Sequence, residues 1–291
     1  MRSLVVSFVC LVACSSSGVA PSTGSDAGAT EGDAAALDAA PAPPPSSGGK
    51  GGLDCASTRM LGDRKVCVAS VGGSELRVIE PVAGPGALRL VVYVHGDGAR
   101  AYVNDGAMRA LLPWADAHHA LVVAVLAPNA CAWWQKATQT DCSDTATPDP
   151  DTAGANADAL DAVLTLVRRR LDVRLDASFF YGASGGSVFL SKSFLRRFGN
   201  AYPGAYALNC GGEKADLPFA WDATDAKARG ASKLFFTYGD LDFLKPDIER
   251  AIPFYEGLGF PIDRQIIPGA EHCAFDAHGR AVAVFGAFLG E

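Results

Sequence analysis

Ser178-Phe179-Phe180-Tyr181-Gly182-Ala183-Ser184-Gly185-Gly186-Ser187 joins a run of large apolar residues to a helical pattern that continues to Phe198. Residues suited to a buried strand give way to small ones, and these to helical spacing. A serine so placed sits on a tight strand-to-helix turn that demands small neighbours, because bulk at Gly182 or Gly186 would meet the adjoining strand and helix. Its Oγ then points out at the carboxyl end of a sheet.

The chain on either side repeats this alternation. Short apolar runs at 88–94, 120–126, 178–181, 206–209, 233–238 and 264–267 read as strands buried on both faces. Helical periodicity fills the gaps at 107–118, 152–171, 187–198, 246–257 and 280–289, most clearly where Leu160, Val163, Leu164, Val167 and Leu171 share one face. Strand-helix-strand repetition of this kind predicts an α/β fold, a mainly parallel sheet with helices on both faces.

A nucleophilic serine needs a base, a carboxylate to orient that base, and N–H donors for a developing oxyanion. Five histidines are available. His118 and His119 end a polar helical turn, His278 begins the last helix and His95 closes an early strand, which leaves His272 in Pro268-Gly269-Ala270-Glu271-His272, just after the last strand. The carboxylate is expected after the preceding strand, where Gly239-Asp240-Leu241-Asp242 offers two. Asp242 is favoured, since the turn carries the chain past the strand end before that side chain points inward; Asp240 is the alternative and otherwise caps the turn. The oxyanion donors expected are the N–H of Gly185 and one from His95-Gly96-Asp97-Gly98, with Asp97 first and Gly98 second.

Composition sets the surroundings of this unit. The chain has 291 residues, 49% hydrophobic, with formal net charge −7, and its densest basic run is Arg168-Arg169-Arg170, so a nucleic-acid partner is excluded. The apolar run 4–13 follows Met1-Arg2 and is too short to span a bilayer, which suits a signal peptide. It ends in Leu11-Val12-Ala13-Cys14, a pattern that resembles the bacterial lipoprotein processing site, with Cys14 as the lipidated residue. Residues 15–52 hold no aromatic residue and only Val19 and Leu37 as large aliphatics, so they cannot bury enough surface to offset their ordering entropy. The expected organisation is a signal peptide at 1–13, a lipidated cysteine and flexible tether at 14–52, and one domain at 53–291. It implies export to the bacterial cell envelope, with the membrane as partner through Cys14.

Beyond Cys10 and Cys14 the chain carries Cys55, Cys67, Cys131, Cys142, Cys210 and Cys273, an even number for an oxidising compartment. Proximity favours Cys55–Cys67 and Cys131–Cys142, and elimination then leaves Cys210–Cys273, although six cysteines allow 15 pairings. A zinc site is the alternative, disfavoured because there is no Cys-x-x-Cys and the spacings are irregular.

With Gly182–Gly186, Asp242, His272 and the His95-Gly96-x-Gly98 loop, in the chain order Ser, Asp, His, residues 65–291 resemble the α/β-hydrolase fold. Within it the domain is most similar to extracellular esterases of the feruloyl esterase, acetyl xylan esterase and polyhydroxybutyrate depolymerase type. The resemblance extends to a tryptophan-bearing loop, matched by Trp133 and Trp134, and to an acidic helix before the nucleophile strand. Two positions depart from it: Ala183, where relatives often carry His, and Cys273, whose counterpart in tannase-like esterases bridges to the residue before the serine. That residue is Ala183 here, so the bridge is directed to Cys210. The resemblance implies a serine hydrolase acting on small-molecule or polysaccharide-linked esters, with Ser184, Asp242 and His272 catalytic and no metal or organic cofactor. Trp133, Trp134, Phe243 and Phe275 stand near strand ends, where they would line an acyl or aromatic pocket. A serine peptidase would share every one of these residues, and a non-catalytic envelope lipoprotein could keep the scaffold for binding.

Overall fold

The computed structural model describes residues 45–82, 84, 86–139, 149–223 and 225–291. The expected signal peptide, Cys14, most of the expected tether and Cys142 lie outside them. Ahead of the sheet, residues 46–51 run against 170–174: the Ser47 N–H donates to the Val173 carbonyl at 2.8 Å and the Gly51 N–H to the Arg170 carbonyl at 3.0 Å.

Nine strands form one sheet in the order β1-β2-β3-β5-β4-β6-β7-β8-β9. The first three, β1 (Ser57–Leu61), β2 (Arg64–Val71) and β3 (Ser74–Ile79), make an antiparallel meander whose last strand pairs antiparallel with β5 (Ala120–Val125). From β5 onward every pairing is parallel, through β4 (Leu88–Val94), β6 (Val173–Ala183), β7 (Gly204–Asn209), β8 (Ser232–Gly239) and β9 (Ile262–Ile267). All six strands read from apolar runs are present. The meander escapes that reading because its residues alternate between buried and exposed, as a half-solvated antiparallel edge requires.

The pleat sends alternate residues of each inner strand to opposite layers. Leu90, Val92 and Val94 of β4 face a core shared with α3 (Ala155–Arg170), α4 (Gly185–Phe189) and α7 (Lys245–Leu258). Val91 and Tyr93 face the other core, with Met108 and Leu111 of α2 (Gly106–Ala117) and Phe285 of α8 (Ala277–Leu289). Short turns of helix, α1 (Arg100–Val103) and α6 (Ala226–Gly230), complete the periphery.

Beyond α4 the helix passes through a π-helical segment, Leu190–Leu195, before ending in α5 (Arg196–Phe198). Its cause is visible at Ser191. That hydroxyl donates to the Ser187 carbonyl at 2.9 Å and accepts the Glu213 N–H at 2.9 Å, while the Ser191 carbonyl takes the Tyr255 hydroxyl. A side chain inserted into the hydrogen-bond ladder widens the turn.

Cys55–Cys67 and Cys210–Cys273 are bridged as expected. Cys131 is also disulfide-bonded. No described helix is long and apolar enough to cross a membrane.

Candidate active site

The junction of β6 and α4 holds Ser184 at φ 50° and ψ −121°, a conformation that L-residues rarely adopt and that persists only where its surroundings impose it. Three glycines impose it here. A Cβ at Gly186 would lie 2.3 Å from the Val94 carbonyl oxygen, one at Gly182 2.8 Å from Ser187 Cα, and one at Gly96 2.9 Å from the Ala183 carbonyl oxygen. The Ser184 N–H donates to the Asn209 carbonyl at 2.9 Å, pinning the turn to β7.

The loop after β9 brings His272 onto this serine. Ser184 Oγ stands 2.8 Å from His272 Nε2, and His272 Nδ1 stands 2.8 Å from Asp242 Oδ1. Asp242, in the turn after β8, is buried and its Oδ1 also accepts the Leu244 N–H. Asp240 lies apart from the imidazole: it is exposed and accepts the Gly269 N–H at 2.6 Å, which makes it a clasp between the two loops. Phe243, exposed between them, lays its ring 4.3 Å from the imidazole centroid. The Cys210–Cys273 bridge ties the same loop to the end of β7, with Cys273 Sγ 3.8 Å from His272 Nε2.

Opposite the imidazole lies the loop after β4. The Gly98 N–H donates to the Cys131 carbonyl at 3.0 Å, whereas the Asp97 N–H has no partner among the described residues. Gly185 opens α4, so its N–H belongs to the helix start that lacks intrahelical acceptors. Of the expected donors, the N–H groups of Asp97 and Gly185 have no hydrogen-bond partner among the described residues, whereas that of Gly98 is engaged. His95 sets the loop's position from beneath. Its Nε2 accepts the Ala127 N–H at 3.0 Å, so Nδ1 carries the proton donated to the Gly96 carbonyl at 2.7 Å. Burial pushes the His95 imidazole down to about 4, against a weaker upward push from the Gly96 carbonyl, so it stays neutral. Read from sequence only as a strand end, His95 is a support for the donors; full burial is the feature that reveals it.

The two tryptophans separate. Trp134 Nε1 donates to both Asp97 oxygens, at 2.9 and 3.1 Å, and its ring faces the cleft. Trp133, expected beside it in the pocket, is instead fully buried, stacked on Phe189 with centroids 4.8 Å apart. Adjacent residues on a turn point to opposite sides, so one anchors the loop while its neighbour lines the cleft. Asn156 of α3, a position with no motif around it, fixes this loop by donating to the Trp133 and Gln135 carbonyls. Phe275 is half-buried and does not border the cleft.

The cleft itself is a cavity of about 450 Å³ that runs from Ser184 along the first helix turns. Val188, Leu217 and Phe243 make much of its wall, and Lys192 and Arg196 stand toward the far end. Lys192 is engaged by Glu213 at 3.0 Å and Asp216 at 3.4 Å; Arg196 donates to the Pro218 carbonyl. Burial on the cleft wall pushes the Asp97 carboxyl up, and the Trp134 N–H and the nearby His272 partly offset that. Among the described residues no group of three or more His, Cys, Asp or Glu is placed to hold a metal ion.

Solved structures carry the same architecture. The chain aligns with esterase PE8 at 23% identity over 72% of this chain and 97% of that one, TM-score 0.50. It aligns with TT1662 from Thermus thermophilus at 15% identity over 79% and 100%, TM-score 0.55, and with a fungal esterase from Rhizomucor miehei at 12% over 80% and 83%, TM-score 0.52. At these identities the likeness is one of fold, and that fold is the α/β-hydrolase fold. No family model matches the sequence, and no curated protein does.

Proposed function

We propose that this chain is a serine hydrolase that cleaves carboxylic esters through an acyl-enzyme intermediate on Ser184. The observation that carries this reading is the continuous relay Ser184 Oγ, His272 Nε2, His272 Nδ1, Asp242 Oδ1, with both links at 2.8 Å, opening onto a cavity that Ser184 lines.

In the proposed sequence His272 Nε2 takes the Ser184 proton as Oγ attacks the ester carbonyl, and the N–H groups of Asp97 and Gly185 hold the oxyanion. Collapse breaks the bond to the alcohol oxygen, which leaves with the proton from Nε2. Water then gives a proton to Nε2 and adds to the acyl carbon, and return of that proton to Oγ releases the acid. Asp242 keeps the tautomer correct and stabilises the imidazolium formed in each half.

The same proposal places the mature chain in the bacterial envelope, lipidated at Cys14, because a short apolar run ends in Leu11-Val12-Ala13-Cys14 ahead of a stretch unsuited to folding. The decisive experiment is hydrolysis of p-nitrophenyl esters of increasing chain length, methyl ferulate, acetylated xylan and a small peptide amide by wild type and Ser184→Ala. Turnover of esters lost in the variant supports the reading. A preference for the amide makes the chain a peptidase, and no turnover of any substrate overturns the hydrolase reading.

A further inference from the structure

Asp97 is a carboxylate where a serine hydrolase has most to lose from one. Its backbone N–H is a donor for a developing oxyanion, and its side chain folds back over the other donor. A Cβ built on Gly185 would lie 2.0 Å from Asp97 Oδ1, so the carboxylate fills the space that any side chain at 185 would take. Negative charge so close opposes the anionic transition state of an uncharged ester.

No cationic residue compensates it. Trp134 Nε1 is its one hydrogen-bond donor among the described residues, and His272 the one group nearby able to become positive. The cations of the cleft, Lys192 and Arg196, stand farther along the helix, the first held by Glu213 and Asp216 and the second on the Pro218 carbonyl. Every other carboxylate on the cleft wall is engaged: Asp151 caps α3 by accepting the N–H groups of Gly154, Ala155 and Asn156, and Glu213 and Asp216 share Lys192. A carboxylate can accept about four hydrogen bonds, and the indole uses two of these places. Asp97 is exposed and lines the same cavity as Ser184, so a bound molecule would reach the carboxylate.

We propose that Asp97 is a specificity-determining residue that selects esters carrying an ammonium group close to the scissile carbonyl. The inference rests on the hydrolase reading of Ser184 and adds the class of substrate. A substrate cation beside the carboxylate would pair with its charge and cancel its repulsion of the oxyanion in the same act. Trp134 would hold the carboxylate in place and offer an aromatic face to the cation. The cation can sit on the acyl side, as in an α-amino acyl ester, or on the alcohol side, as in a choline ester; both bring a positive charge to the carboxylate, and the first also donates hydrogen bonds to it.

The test compares two matched pairs in wild type, Asp97→Asn and Asp97→Ala: L-alanine p-nitrophenyl ester against its N-acetyl form, at a pH where the amine is protonated, and acetylcholine against 3,3-dimethylbutyl acetate. For at least one pair, kcat/KM for the cationic member divided by that for the neutral one should fall about tenfold or more in both variants, the scale of one charge-assisted contact. Comparing ratios between enzymes cancels the intrinsic reactivity of each ester. In the same variants the neutral esters should react faster than in wild type. Ratios unchanged in both pairs, with neutral esters turned over normally, overturn this inference and leave the hydrolase reading standing. If the wild type turns over none of the four esters nor p-nitrophenyl acetate, the hydrolase reading itself fails.

Discussion

Asp242 meets His272 through one oxygen only. Oδ1 accepts from His272 Nδ1 at 2.8 Å and from the Leu244 N–H at 2.8 Å, while Oδ2 is buried with no partner among the described residues. The carboxylate is thus held by a backbone donor and a ring donor on the same atom, and the plane of the imidazole follows from the position of that atom. On the proposed mechanism, Asp242→Asn keeps the shape but presents an amide that favours the wrong tautomer, and kcat should fall on the order of 10⁴-fold, as in serine-protease triads. Asp240→Asn, which alters only the clasp to Gly269, should change kcat by no more than a few fold. A larger loss at Asp240 than at Asp242 would reassign the carboxylate.

Ser184→Ala and His272→Ala should each remove nearly all ester hydrolysis, on the order of a millionfold, and the double variant should be scarcely worse than either. Folding should survive. Ser184→Gly should be equally inactive yet melt at a higher temperature than Ser184→Ala, because glycine adopts φ 50° without the strain a Cβ brings. Equal melting temperatures for the two would show that the turn is unstrained.

Reduction of Cys210–Cys273 releases the histidine loop from the end of β7. Since that loop presents His272 to Ser184, activity should fall further than stability does. Parallel measurements of ester turnover and Tm in Cys210→Ser and Cys273→Ser check this, and a loss of Tm with kcat unchanged would contradict it.

His95 gives a pH dependence of stability. Its folded imidazole, neutral down to about pH 4, binds fewer protons than the unfolded one, which charges below its ordinary value of 6.5. Stability from this group is therefore complete above about pH 6.5 and declines as the pH falls toward 4, by about 3 kcal/mol in all. His95→Gln, which cannot titrate, should lose less stability than wild type between pH 7 and pH 4.5 in urea denaturation. Identical losses would mean that His95 is protonated equally in both states.

Cys14→Ser removes the thiol proposed to carry lipid, the one strong anchor expected in the mature chain. The variant should move from the membrane fraction to the soluble one, or accumulate with its signal peptide attached. Unchanged fractionation with the membrane would refute lipidation at Cys14.

The parallel half of the sheet is legible in the chain because strands buried on both faces are written as unbroken apolar runs, as in Leu121, Val122 and Val123. Antiparallel β1 to β3 are not, since residues such as Lys65 and Ser70 alternate with buried ones and resemble loop. Gly182 and Gly186 announce the turn at Ser184 through steric need, and the order of strands directs attention to Asp242 and His272. Side-chain direction is where a linear reading stops. Nothing in Trp133-Trp134 says which ring faces the cleft, and nothing around His95 or Asn156 marks them as supports, because Ala127, which His95 holds, and Trp133 and Gln135, which Asn156 holds, lie 21 to 32 residues away.

The wide turn at Leu190–Leu195 also sets which side chains reach the far part of the cleft. A π-helical turn holds about one residue more than an α-helical turn, so it behaves as an insertion accommodated without breaking the helix. Everything before it, including Gly185 and Val188, keeps its phase relative to the serine, while the remaining helical residues, Arg196 to Phe198, are rotated by roughly the 100° one residue occupies in an α-helix. Removing one residue from 190–195 would leave the relay untouched and swing a different side chain into the far end of the cleft.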